Sequence, residues 1–125
     1  MTEGEARYPY PAPIDAYGNG GFRFADMSHR GSILCLPSGI HAWPVASADN
    51  LRLQDLDRVL QSQGAVNVLL LGTGERQIWP APEIRRAFEV AGIALEPMST
   101  GSAARTYNVL LAERRLVGAA LIAVA

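Results

Sequence analysis

The stretch Gly72–Thr73–Gly74–Glu75–Arg76, directly behind the apolar run VNVLLLG, is where this chain comes nearest to a chemical motif. A glycine turn behind a buried strand can aim free backbone N–H groups at an anion, above all when a helix opens on the glycines. Here Glu75, Arg76 and Gln77 follow Gly74, so the third glycine of a dinucleotide fingerprint is missing. The next helix is expected only from about Pro82, too late for its N-terminus to meet the same pyrophosphate. Nor does Gly-Lys-Ser/Thr follow, as a nucleotide P-loop requires. Two readings of the loop remain. The glycines permit a sharp exit from the strand, or Thr73 and Arg76 line a small ligand or anion pocket at the strand's carboxyl end, where open α/β sheets form clefts.

Other chemistry-bearing side chains are sparse. Cys35 is the single cysteine, lies in the apolar run SILCL, and is expected as a small buried hydrophobe. His29 and His41 are expected in a turn and near a strand end, without the clustered ligands of a metal site. A Cys35–His41 dyad is chemically conceivable, because histidine can activate a thiol, but nothing in the pattern demands it. Asn108, in ARTYNVL, falls at the margin of a helix's apolar stripe. A partly buried amide must be hydrogen-bonded, so it is expected to tie that helix to a neighbouring loop, or else to share a polar pocket with Arg105. Trp43 and Trp79 each stand beside a proline. They are expected in half-buried packing or, if exposed, as partner anchors.

The elements that would hold these residues are marked by changes of period. Residues 1–13, with Pro9, Pro11 and Pro13, read as an extended, mobile tail, and residues 14–125 as one domain. GNGG at 18–21 suits a tight hairpin turn before FRFA, SHRG a second turn, and SILCLPS a strand. GIHAWPV extends that strand or forms an edge strand, because Pro44 cannot sit in a central one. LRLQDLDRVLQSQG has helical spacing of Leu53, Leu56, Val59 and Leu60 and a stop at Gly64. VNVLLLG is a continuous apolar run, as in a strand covered on both faces. PEIRRAFEVAG, opened by Pro82 and ended by Gly92, is a helix. IALEPM is a strand, STGSAARTYNVLLAERR a helix capped at Ser99 or Thr100, and LVGAALIAV a closing strand. Alternating helices and buried strands after an antiparallel meander predict an α/β domain with a mixed sheet.

Composition bounds the function. A chain of 125 residues, 49% hydrophobic and 18% charged, is an ordinary globular domain. Its net charge of −1 argues against a general nucleic-acid binder, which needs a clustered basic surface. The N-terminus lacks the basic start and apolar run of a signal peptide and any arginine-rich transit segment. LVGAALIAVA falls short of the about 20 apolar residues of a membrane-spanning helix, so a cytoplasmic location is expected. Neither a metal nor a cofactor is expected.

Taken together, YGNGGFRF, GSILCLPSGIHAWP, VLLLGTG, MSTGSAARTYNVLLAERR and VGAALI resemble, in order, the Mth-type domain family of unknown biochemical function. The resemblance runs from about Ile14 to Val124, and its more specific blocks are Gly72–Gly74 and Thr106–Tyr107–Asn108. It implies a compact α/β domain with a mixed sheet, and a possible shared site at Gly72, Thr73, Gly74, Thr100, Arg105, Thr106, Tyr107 and Asn108. It supplies no catalytic residue. Because eukaryotic members include a mitochondrial complex I assembly factor, it implies a non-enzymatic accessory protein whose partners are respiratory-complex subunits. The alternative is a small-molecule-binding protein or small enzyme with a pocket near the Gly72–Gly74 loop.

Overall fold

The computed structural model describes residues 6–125. The chain opens with a three-stranded antiparallel sheet, β1 (Ala16–Gly18), β2 (Gly21–Phe24) and β3 (Met27–Arg30). Asn19 and Gly20, with φ of 52° and 80°, make the tight turn expected from GNGG. SHRG is not a turn: Met27–Arg30 is β3, and the reversal before it falls on Ala25 and Asp26, both at positive φ. Ser, His and Arg form a strand here because pairing with β2 overrides their weak strand preference.

A second, five-stranded sheet has the order β5-β4-β8-β6-β7. It consists of β4 (Ser32–Leu36), β5 (Gly39–Trp43), β6 (Val68–Gly72), β7 (Ala94–Met98) and β8 (Val117–Leu121). β4 pairs antiparallel with β5 and β8, while β6 pairs parallel with β7 and β8, so the sheet is mixed. The near-continuous apolar runs follow from having two covered faces. Ile33, Cys35, Leu70, Val117, Ala119 and Leu121 point into one core with Phe22, Phe24 and Tyr107. Leu34, Leu36, Leu69, Leu71, Ala120 and Ile122 point into the other with Leu56, Val59, Ile84 and Phe88.

Helix α3 (Thr100–Ala112) covers the first face, capped by Ser99, whose Oγ accepts the Ser102 N–H. The second face is covered by α1 (Asp57–Leu60) and α2 (Pro82–Ala91). α2 begins on Pro82 and ends at Gly92 in the left-handed region. The helix expected over LRLQDLDRVLQSQG is only a 3₁₀ turn at Leu53–Leu56 followed by the single turn of α1. The Trp43 indole N–H donates to the Asp55 carbonyl at 2.8 Å, the group that a continuous helix would offer to Val59.

Of the expected tail, residues 1–5 lie outside the described residues. The remainder does not stand off the domain. The N–H groups of Arg7 and Tyr8 donate to the Ile40 carbonyl and the Ile40 N–H to Tyr8 O, while Ala12 and Ile14 are buried. Two or three backbone bonds along the edge of β5 outweigh what the prolines remove. Among the described residues no helix is long and apolar enough to cross a membrane.

Candidate functional site

The Gly72–Gly74 turn leaves β6 against the first turn of α3, not of α2. A Cβ on Gly72 would lie 3.0 Å from the Cα of Thr100 and 3.0 Å from Leu121 Cδ2, so any larger residue would crowd both. Gly74, at φ 111°, lets the chain turn away. Thr100 then bonds the loop from both sides: its N–H donates to Gly74 O at 2.8 Å and its Oγ1 accepts the Gly74 N–H at 3.0 Å. The same hydroxyl donates to Ile122 O at 2.7 Å. Thr73 is buried too, its hydroxyl donating to Arg76 O at 2.6 Å and accepting the Ile78 N–H at 2.9 Å. Gly72, Thr73, Gly74 and Thr100 are therefore brought together, with these polar atoms engaged by protein partners. Arg76 and Arg105 are exposed.

The Thr106–Tyr107–Asn108 block splits three ways around α3. Tyr107 lies in the core at 1% exposure, where burial, aided by nearby Cys35, drives its hydroxyl pKa up. Asn108 accepts the Ile14 N–H and donates to the Ile14 carbonyl, both at 2.8 Å. This is the expected tie to a neighbouring loop. Thr106 lines a cleft of about 430 Å³ together with Val68, Leu70, Leu110, Glu96 and Arg115.

The two tryptophans part company. Trp43 is only 4% exposed and is packed in the second core, so it offers no surface to a partner; its register opposite Ser32 turns it inward. Trp79 is 65% exposed.

Cys35 and His41 cannot form a dyad. Cys35 pairs with Ile40 and His41 with Leu34, so the two side chains leave opposite faces of the sheet. Burial pushes the Cys35 thiol far up, which holds it as an unreactive SH group. His41 Nε2 sits 2.9 Å from Ser38 Oγ, and His29, on a strand rather than in a turn, has Nε2 3.3 Å from Ser32 O. Burial lowers the pKa of both, with Arg58 adding to it at His41 and Arg7 at His29, while the Ser32 carbonyl opposes it at His29. Among the described residues no group of three or more His, Cys, Asp or Glu could hold a metal ion.

One feature escapes the sequence patterns altogether: a cleft of about 420 Å³ on the three-stranded sheet, with Arg23, Ser28 and Arg30 in its lining. Two arginines seven residues apart carry no motif. Only the hairpin register brings them to diagonal positions on one face, and an arginine alternating with apolar residues in GFRF is the one signal in the sequence.

The fold is a compact mixed α/β domain of the Mth938-like kind. The chain belongs to the family "Protein of unknown function (DUF498/DUF598)", whose model matches residues 14–122. It is similar to an outer membrane protein of Bartonella henselae of known crystal structure, with 50% identity, a TM-score of 0.92, and coverage of 95% of this chain and 100% of that one. A Bordetella pertussis protein described as a Mth938-like domain is 28% identical, with a TM-score of 0.75 over 98% of this chain and 92% of that one. The mouse NADH dehydrogenase [ubiquinone] 1 alpha subcomplex assembly factor 3 is 28% identical over 118 residues, 94% of this chain and 64% of that protein. This chain thus spans less than two thirds of the assembly factor it matches.

Proposed function

We propose that this protein is a non-enzymatic accessory factor whose contacts with other proteins assist assembly of a membrane-associated respiratory complex of the complex I type, acting from the cytoplasm. The observation that carries the reading is the match to assembly factor 3 across 94% of the chain. The exposed Trp79 supplies a surface feature suited to such contacts, since large aromatic side chains are favoured as anchors in interfaces. The test is co-purification of the tagged protein from a membrane-containing lysate, scored for respiratory-complex subunits. Recovery should be retained in Cys35→Ala and His41→Gln and should fall by about 2 kcal/mol or more in apparent affinity in Trp79→Ala. Failure to recover any respiratory-complex subunit with the unaltered protein would sink the proposal.

A second reading, binding of a small molecule, draws on the cleft at Thr106 and on the Gly72–Gly74 loop, with the exposed Arg76 beside the loop and Arg105 on α3. The Thr106 cleft favours it by its size, within the about 300–1,000 Å³ range of ligand pockets. Native mass spectrometry of the purified protein tests it: a retained molecule lost in Thr106→Val supports the cleft, and no retained mass removes it.

A further inference from the structure

The three-stranded sheet has one dry face and one wet face, and its register decides which residues each receives. Tyr17, Phe22 and His29 stand in one row across the strands, and Phe24 stands opposite Met27; Phe22 and Phe24 are both buried. The alternate rows, Ala16–Arg23–Ser28 and Gly18–Gly21–Arg30, therefore turn outward. Four of the positions in those rows carry little or no side chain beyond Cα or Cβ, or only a hydroxymethyl group. Gly21 cannot carry more, since a Cβ there would run into the backbone of His29. The result is a depression of about 420 Å³ flanked by two arginines.

Its chemistry is one-signed. None of the residues lining it is acidic. Arg23 donates to Ser28 Oγ at 2.6 Å, and among the described residues neither Arg23 nor Arg30 forms an ion pair with a carboxylate. The two arginines stand diagonally across neighbouring strands, about 7–8 Å apart at the backbone. The field of Arg7 also reaches His29 beneath the sheet. The platform is fixed: the Gly20 N–H donates to Val124 O at 2.8 Å, and the Tyr17 ring packs on Gly101 of α3.

We propose that this cleft binds a phosphomonoester group, presented by a small soluble ester or by a phosphomonoester lipid headgroup, through the guanidinium groups of Arg23 and Arg30. A phosphate monoester carries up to two negative charges on three terminal oxygens, enough for two guanidinium groups approaching from different directions, where a carboxylate offers one charge on two oxygens. Ser28 Oγ, already turned to Arg23, fixes one fork in advance of the ligand. The site is independent of the assembly role and stands or falls separately from it.

The experiment is an amide-resolved NMR titration of the full chain with inorganic phosphate, followed by flotation with phosphatidylcholine vesicles with and without phosphatidic acid. Saturable shifts should centre on the amides of Arg23, Ser28 and Arg30. Arg23→Gln and Arg30→Gln should each weaken phosphate about tenfold, while Arg85→Gln on α2, an equal change of charge elsewhere, should leave it unchanged. Circular dichroism of the variants, both at exposed positions, confirms their fold. Flotation only with the vesicles that contain phosphatidic acid, lost in the two variants, assigns the headgroup as the source; binding of phosphate without flotation assigns the soluble ester. Absence of saturable shifts at the sheet, or equal weakening by Arg85→Gln, overturns the proposal.

Discussion

The side-chain amide of Asn108 satisfies both backbone groups of Ile14, accepting its N–H and donating to its carbonyl at 2.8 Å each. Residues 94 positions apart in sequence are joined as two strands would be, with one side chain standing in for a strand. Ile14 is itself buried at 5% exposure, so its peptide groups have little access to water once the amide is gone.

Replacing Asn108 by leucine should therefore lower stability by about 1–3 kcal/mol, the cost of stranding buried partners. Urea unfolding measures it. An unchanged midpoint with an unchanged slope would remove the structural role of the amide.

Gly72→Ala should also destabilise, by about 1–3 kcal/mol, because its methyl would meet the Thr100 backbone, which cannot move aside as the tip of Leu121 can. Thr100→Val removes the hydroxyl that holds Gly74 and Ile122 while keeping the shape, and should cost a similar amount. Since the two sites touch, the double variant should fall short of the sum of the two losses. Strict additivity in urea midpoints at constant slope would show that the loop and the helix are not coupled.

The two histidines predict the acid limb of the stability curve. Burial lowers both pKa values from the ordinary 6.5, so the folded state binds fewer protons than the unfolded chain. Their neutral forms are favoured by folding; stability is complete above about pH 6.5 and is lost as the pH falls below that value toward the folded pKa. Unfolding free energies at pH 7.5 and pH 5 should differ less in the His29→Gln/His41→Gln double variant than in the parent, as each replacement removes a titrating ring with a buried, unpaired Nδ1. Parallel pH profiles would show that other groups set the acid limb.

Much of this architecture is written in local pattern. The alternation within SILCL and VLLLG is what sends Leu34 and Leu69 to one core and Cys35 and Leu70 to the other, and Pro82 with Gly92 brackets α2 as their backbone preferences require. The mixed sheet and the family are both legible in such segments. What is not local is not legible. Trp43 beside Pro44 reads as half-buried, whereas its ring lies in the second core and its indole N–H meets a carbonyl twelve positions on. The turn-forming letters of SHRG hide a strand held by Phe22 and Arg23. At the glycine loop the letters leave open a sharp strand exit or a small pocket, while the hydrogen-bonding capacity of Thr73 and Thr100 is directed inward to partners up to 26 residues away. Arg23 and Arg30 meet only through register.

Strand β8 is the last in sequence and occupies the middle of the five-stranded sheet, between β4 and β6. The β4–β5 hairpin and the β6–α2–β7 unit both precede in sequence the strand that joins them. Without that strand each would carry an open strand edge, the kind of edge that pairs with other chains. The small Gly118, Ala119 and Ala120 at its centre fit between the two neighbours, so the five-stranded sheet becomes continuous only when β8 is in place.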